Sequence, residues 1–258
     1  MSQVVVPSLD PDPRPAPRLR RVASQARFDA TVWLANGEQL LLTMVLPALV
    51  LVGLTRWLPL DLGPGARVDV VAPGVLALAV MSTAFTGQAI GTAFDRRQGA
   101  LRLLATTPLG PDGLALGRIL AVIAVEVVQV VVLGGLALVL GWRPGLLGCL
   151  LGVMVLMTGT ATFVALGLLL AGTLRSEAVL AAANLLWVLL LVGGGVVVPA
   201  QQLGGFGAVA AALPSGALGA AARAAFQHGR LDLGAVVVLL VWAALALAGL
   251  RRWFRWTD

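Results

Sequence analysis

The sequence predicts an all-α membrane protein of six transmembrane helices, and three observations predict it. Of the 258 residues, 59% are hydrophobic and only 12% are charged. Apolar runs of about 20 residues, each long enough to cross a hydrocarbon core of about 30 Å, recur along the chain. Arginine is concentrated in every second connection between those runs, as expected of loops retained on the cytoplasmic side. A soluble chain with a mean hydropathy of +0.95 would expose more hydrocarbon than water tolerates.

The elements follow in order. Residues 1–19, rich in proline and polar groups and lacking an apolar signal-peptide core, read as a disordered tail. Residues 20–33 are amphipathic: Val22, Phe28, Val32 and Trp33 alternate with Arg20, Arg21, Arg27 and Asp29. The pattern fits an interfacial helix with arginines toward headgroups and aromatics toward acyl chains, or an ordinary juxtamembrane linker. The first span covers residues 39–57, with Pro47 as a kink, and a loop holding Pro59, Asp61, Gly63, Pro64 and Gly65 follows. Further spans cover residues 73–94, 114–140, 146–170 and 178–198. Gly193, Gly194, Gly195 and Pro199 break the fifth. The next stretch is weakly apolar and is divided by Pro214, Ser215 and Gly216. Each half is too short to span, so two short helices dipping into the outer leaflet or lying along it are expected. The last span, residues 233–250, ends in Arg251, Arg252, Trp253, Phe254, Arg255 and Trp256, an interfacial anchor. With the N-terminus inside, thirteen of the 18 arginines fall in the cytoplasmic set and five in the outer set, so both termini are cytoplasmic.

Several functions are excluded. All 18 basic residues are arginine, and a P-loop needs a lysine to reach the terminal phosphates of a nucleotide. The net charge of +6 is explained by anchoring beside spans rather than by nucleic acid. Cys149 and His228 are each alone, which removes an intrachain disulfide, a Cys-based metal site, haem held by two histidines and zinc-protease motifs, and disfavours a serine–histidine hydrolase.

The connection between the second and third spans carries the most information. Read as a helix, it puts Leu101, Leu104 and Ala105 on one face and Asp95, Gln98 and Arg102 on another, with Pro108, Gly110 and Pro111 ending it. Such a helix suits docking into a groove of a soluble partner, or resting on headgroups. The run GALRLLATTPL at residues 99–109, after Asp95, Arg96 and Arg97, resembles the signature loop of ABC-2 type transporter permeases. The resemblance extends to the amphipathic N-terminal helix, six spans, broken fifth span and re-entrant helices. Leu213 to Leu218 with Arg223, Asn36 to Glu38, and Ser82 to Gln88 are similar to actinobacterial members. Ala100 and Arg102 depart from the usual threonine and acid, which touches the details of the contact and not the fold.

The resemblance implies a bacterial plasma-membrane exporter subunit without a nucleotide site of its own. It would pair with a second copy or a paralogue and with P-loop ATP-binding cassette subunits that hold ATP and magnesium. The coupling surface would then be Asp95, Arg96, Arg97, Gly99, Leu101, Arg102 and Leu104, with Arg20, Arg21, Arg27, Phe28 and Trp33 beside it. The cargo would be a drug, lipid or glycan-like amphiphile.

Glu126 is the one acid near the middle of a span, and Gln129, one turn on, could share its proton. These two, with Gln88 and Asn184, either line a polar transport path or serve helix packing, as do Thr158, Thr160 and Thr162. Gly87 and Gly91, Gly113 and Gly117, and Gly148 and Gly152 have the spacing of close helix contacts, a pattern that chance supplies readily among 31 glycines. An ion-coupled secondary transporter using Glu126, or a membrane assembly factor, stands as the alternative function.

Overall fold

The computed structural model describes residues 15–57, 66–197, 199 and 205–255, without the side chains of residues 38, 39 and 42. The expected tail up to residue 14, the loop at 58–65, residues 200–204 and Trp256 lie outside the described residues. Eleven helices are described: α1 (Arg18–Ala35), α2 (Gly37–Arg56), α3 (Arg67–Met81), α4 (Gln88–Arg97), α5 (Ala100–Ala105), α6 (Gly110–Val139), α7 (Leu146–Thr173), α8 (Ser176–Gly194), α9 (Gly207–Ala212), α10 (Pro214–His228) and α11 (Leu233–Trp253). The amphipathic segment begins at Arg18, so residues 18 and 19 belong to the first helix and not to a tail.

Five helices are long and apolar enough to cross a membrane: Arg67–Arg97, Gly110–Val139, Leu146–Thr173, Ser176–Gly194 and Leu233–Trp253. The expected first span folds as α2 with Pro47 inside it, but its described apolar stretch, Thr43–Arg56, is shorter than the five. Large apolar side chains on α2, α6, α7, α8 and α11, such as Leu49, Val131, Leu150, Leu189 and Leu245, face outward, as the lipid-facing surface of a bundle requires.

The second predicted span is the centre of the molecule. It is one rod of 31 residues from α3 to α4, about 46 Å at 1.5 Å per residue, with a π turn at Ser82–Gly87. Every residue from Val71 to Met81 is buried, because α2, α6, α7 and α10 pack around α3. A helix apolar all round is indifferent to whether lipid or protein covers it, so the sequence did not distinguish this rod from its neighbours.

The segment before α11 folds as the two short helices α9 and α10, divided at Pro214. α10 is no surface helix: Pro214 to Gly219 and Ala221 to Phe226 are buried, against α3 and α7. Its alanines and glycines, which lower its hydropathy, let backbones approach. Gly195, at φ 63°, ends α8 in the left-handed conformation that glycine adopts without strain. Arg223 then donates from Nη1 to the Val196 carbonyl (2.9 Å) and from Nη2 to that of Gly195 (3.2 Å), satisfying acceptors that the broken helix leaves over.

Of the spaced glycine pairs, Gly148 and Gly152 meet α10. A Cβ on Gly148 would lie 3.0 Å from the carbonyl oxygens of Ala225 and Phe226, and one on Gly152 would strike the Phe226 ring. Gly148→Ala is therefore expected to lower stability by about 1–3 kcal/mol. Gly134→Ala, where nothing lies within 4 Å, should be neutral or slightly stabilising. Melting of the two variants in mild detergent checks this; equal melting points would show that α10 gives way at no cost.

One end of the bundle gathers the ends of α4, α7 and α11 and the starts of α6 and α8. Arg251 pairs with Asp112 at 2.8 Å, and the Arg255 amide donates to the Gly172 carbonyl at 3.0 Å. α5 sits at this end, and α1 packs along α6.

Candidate functional site

Gly99 turns the chain out of α4. At φ 80° it takes the left-handed conformation, its amide donates to the Arg96 carbonyl at 3.1 Å, and α5 starts on its own carbonyl. On the six-residue α5, Leu101 is fully buried, Leu104 half-buried, and Arg102 and Leu103 exposed, Leu103 at 72%. Arg97 is exposed one turn earlier. Thr106 and Thr107 donate to the carbonyls of Leu103 and Leu104 at 2.7 and 2.6 Å, which closes the short helix.

The charged run expected to form one surface is therefore split. Arg96 is buried and donates to Ser176 Oγ (3.2 Å) and to the carbonyls of Ala171 (2.6 Å) and Leu174. It serves acceptors at the α7–α8 turn, and it corrects the expectation that its side chain lies on the outer face. Leu101 is likewise an inward plug. What is presented outward is Arg97, Arg102 and Leu103, and of these the sequence missed Leu103. Leu101 and Leu104, three apart, define one face, and Leu103 between them falls outside it, where burial leaves it exposed.

Asp95 joins an ionic cluster. It pairs with Arg118 Nη2, while Arg118 Nε lies 3.3 Å from Asp29 Oδ2 without the alignment of a hydrogen bond. Gln25 Nε2 donates to both oxygens of Asp29 at 3.0 Å. Burial pushes the Asp29 carboxyl above the usual carboxylate range, with Arg118 and then Gln25 pulling it back. Arg118 is one of the thirteen arginines that the sequence places on the cytoplasmic side. An arginine several residues inside a predicted span, with its cost of desolvation, was the signal that it has a buried partner.

α1 docks through Val22, Ala26 and Asp29, which are buried. Trp33 lies against the end of the π turn, where a Cβ on Gly87 would come within 2.8 Å of its ring, and Gln25 covers Gly117. Arg21 donates to the Pro108 carbonyl and ties α1 to the segment after α5. Arg20, Arg27 and Phe28 are exposed.

The expected polar path is not brought together. Glu126 accepts from Thr160 of α7. Gln129 pairs instead with Thr83 of the π turn (2.9 and 3.2 Å), so it is not Glu126's partner. Gln88 is buried, and Asn184 is exposed and donates to the Leu180 carbonyl of its own helix at 3.0 Å. Thr162 bonds the Leu239 carbonyl at 3.2 Å, a helix-packing role. Among the described residues no cluster of His, Cys, Asp and Glu could hold a metal ion.

A cavity of about 840 Å³ opens instead between α1, α2, the π turn, α4, α5 and α8. Phe28, Val32, Trp33, Leu46, Pro47, Ile90, Phe94 and Trp187 form its apolar walls, and Ser82, Thr83, Thr86 and Asn184 its uncharged polar spots. Trp187 Nε1 donates to Ser82 Oγ at 3.0 Å, which fixes one wall. Asp29, Asp95 and Arg118 lie at the end nearest α5.

The chain is a bundle of membrane-crossing length with a side cleft, a buried central rod and a short leucine-rich helix at the end of that rod. The chain belongs to the ABC-2 type transporter family, whose model matches residues 24–226, from within α1 to near the end of α10. The family is a transmembrane permease domain rather than a nucleotide-binding one, and its members normally work with an ATP-binding cassette partner. No curated protein matches the chain individually.

Proposed function

We propose that this chain is the transmembrane subunit of an ATP-driven exporter that moves a hydrophobic or amphipathic molecule out of a bacterial cytoplasm. It would span the plasma membrane six times, with α2 as the first crossing and both termini inside, and work as a dimer with itself or a paralogue. ATP and magnesium would reside on the cassette subunits.

The observation that carries this reading is where the exposed residues Arg97, Arg102 and Leu103 sit. They are mounted at the end of the 31-residue central rod, next to an arginine bonded into the α7–α8 turn. A push on α5 would therefore move a rigid rod and its neighbours rather than a loose loop, which suits transmission of cassette closure. The concentration of arginines at that same end supports a cytoplasmic position.

The test is a mild-detergent pull-down of the chain from its native membrane, with mass spectrometry of what accompanies it. A stoichiometric P-loop ATPase is the expected companion. Recovery of the chain alone, as a stable oligomer in good yield, would remove the exporter reading.

A further inference from the structure

The cleft carries an unequal charge. Its described lining residues include two carboxylates, Asp29 and Asp95, and one guanidinium, Arg118. Arg118 is 4% exposed and already spends its charge between the two acids, so no cation is left over to receive an anionic ligand. Asp29 is buried beneath Gln25, which bonds both of its oxygens. The Asp95 side chain is 32% exposed and gives only Oδ2 to Arg118. Asp95 is therefore the acid of this cluster whose carboxylate reaches the cleft. Phe28 and Phe94, 65% and 51% exposed, also line the cleft, and Phe94 precedes Asp95 in the chain. Aromatic faces attract cations through the ring quadrupole, more strongly where water is excluded. A volume near 840 Å³ suits a ligand of drug size.

We propose that the cleft binds a hydrophobic cation, with its charge against Asp95 and its apolar body along Phe28, Phe94 and Trp187. The proposal deepens the exporter reading by naming the class of cargo, and it rests on that reading for the claim that the bound molecule is transported. An anion of the same shape meets the Asp95 carboxylate, of which only Oδ2 is paired with Arg118, and is disfavoured. A neutral molecule gains the apolar walls and leaves the carboxylate unanswered.

The test uses two probes of equal shape and opposite charge, tetraphenylphosphonium and tetraphenylborate. Equilibrium binding to the purified full-length chain is measured in mild detergent, with empty micelles subtracted. Saturable binding of the cation and none of the anion is expected. Asp95→Asn should weaken cation binding about tenfold, Asp95→Glu should retain it, and Phe94→Leu should weaken it about threefold. Should Asp95→Asn fail to fold, the Phe94→Leu and Asp95→Glu pair still decides. Saturable binding of the anion with similar affinity, absence of saturable cation binding, or cation binding untouched by both Asp95→Asn and Phe94→Leu would overturn the proposal; a second copy of the chain covering the cleft gives the second of these results. The two readings fail separately. An ATPase companion without cation preference removes the cargo class alone, and cation binding by a chain without an ATPase removes the exporter alone.

Discussion

Replacing Arg118 by leucine is expected to cost about 3–5 kcal/mol of stability, the penalty for leaving a buried charge without its partner. Asp29 is 5% exposed and has no other cation within ion-pair distance among the described residues. Asp95, with 32% of its side chain exposed, can turn to water instead. The loss should show as early thermal aggregation of the detergent-solubilised protein. Replacing both ends of the buried pair, Asp29→Leu with Arg118→Leu, should recover most of it, since an apolar pair of similar volume often serves as well as a buried ion pair. A double variant no more stable than Arg118→Leu alone would show that the guanidinium acts through Asp95, or through packing of its stem.

The second large effect contrasts two leucines two positions apart. Leu101 is fully buried, so Leu101→Glu forces a carboxylate into an apolar site and should prevent accumulation of folded protein. Leu103 is 72% exposed, and Leu103→Glu should change stability by no more than about 0.5 kcal/mol. On the exporter reading its transport falls tenfold or more, because a charge replaces the apolar contact offered to the cassette subunit. Normal transport by a well-folded Leu103→Glu protein would remove α5 as the coupling surface. The family resemblance puts Leu101 on the coupling surface; on the exporter reading its burial leaves that role to Leu103.

The helices were legible because each depends on a local property. Runs of apolar residues, the glycines after α8, the prolines bounding α10 and the arginines flanking spans act within a turn or two of where they stand. Amphipathicity located α1 to within two residues at either end. Its buried face was less legible. The aromatic Phe28 was assigned to the apolar side, yet the helix turns Asp29 inward, because Arg118 offers a charge that lies 89 positions away in the chain.

The site was legible in part for the same reason. The connection around Gly99 announced itself through its glycine, its prolines and its resemblance to a known loop. The cleft announced nothing, since Phe28, Leu46, Phe94 and Trp187 are ordinary residues of four different segments. Glu126 and Gln129 lie one turn apart on α6, but Thr160 and Thr83 on other helices claim them separately. Sequence proximity supplies candidates for a hydrogen bond, and packing chooses among them.

By itself, then, the sequence determined a membrane-embedded helical chain without a P-loop, the positions of its helices, and the loop that marks its family. The tertiary structure alone decided that the second span is the buried core, that α10 packs inside the bundle, that Arg96 and Leu101 point inward, and that two acids share one arginine at the end of a cleft. The physical reason is range. Hydropathy, backbone preference and capping act on neighbours in the chain, whereas burial and ion pairing depend on which distant segment arrives at the same place.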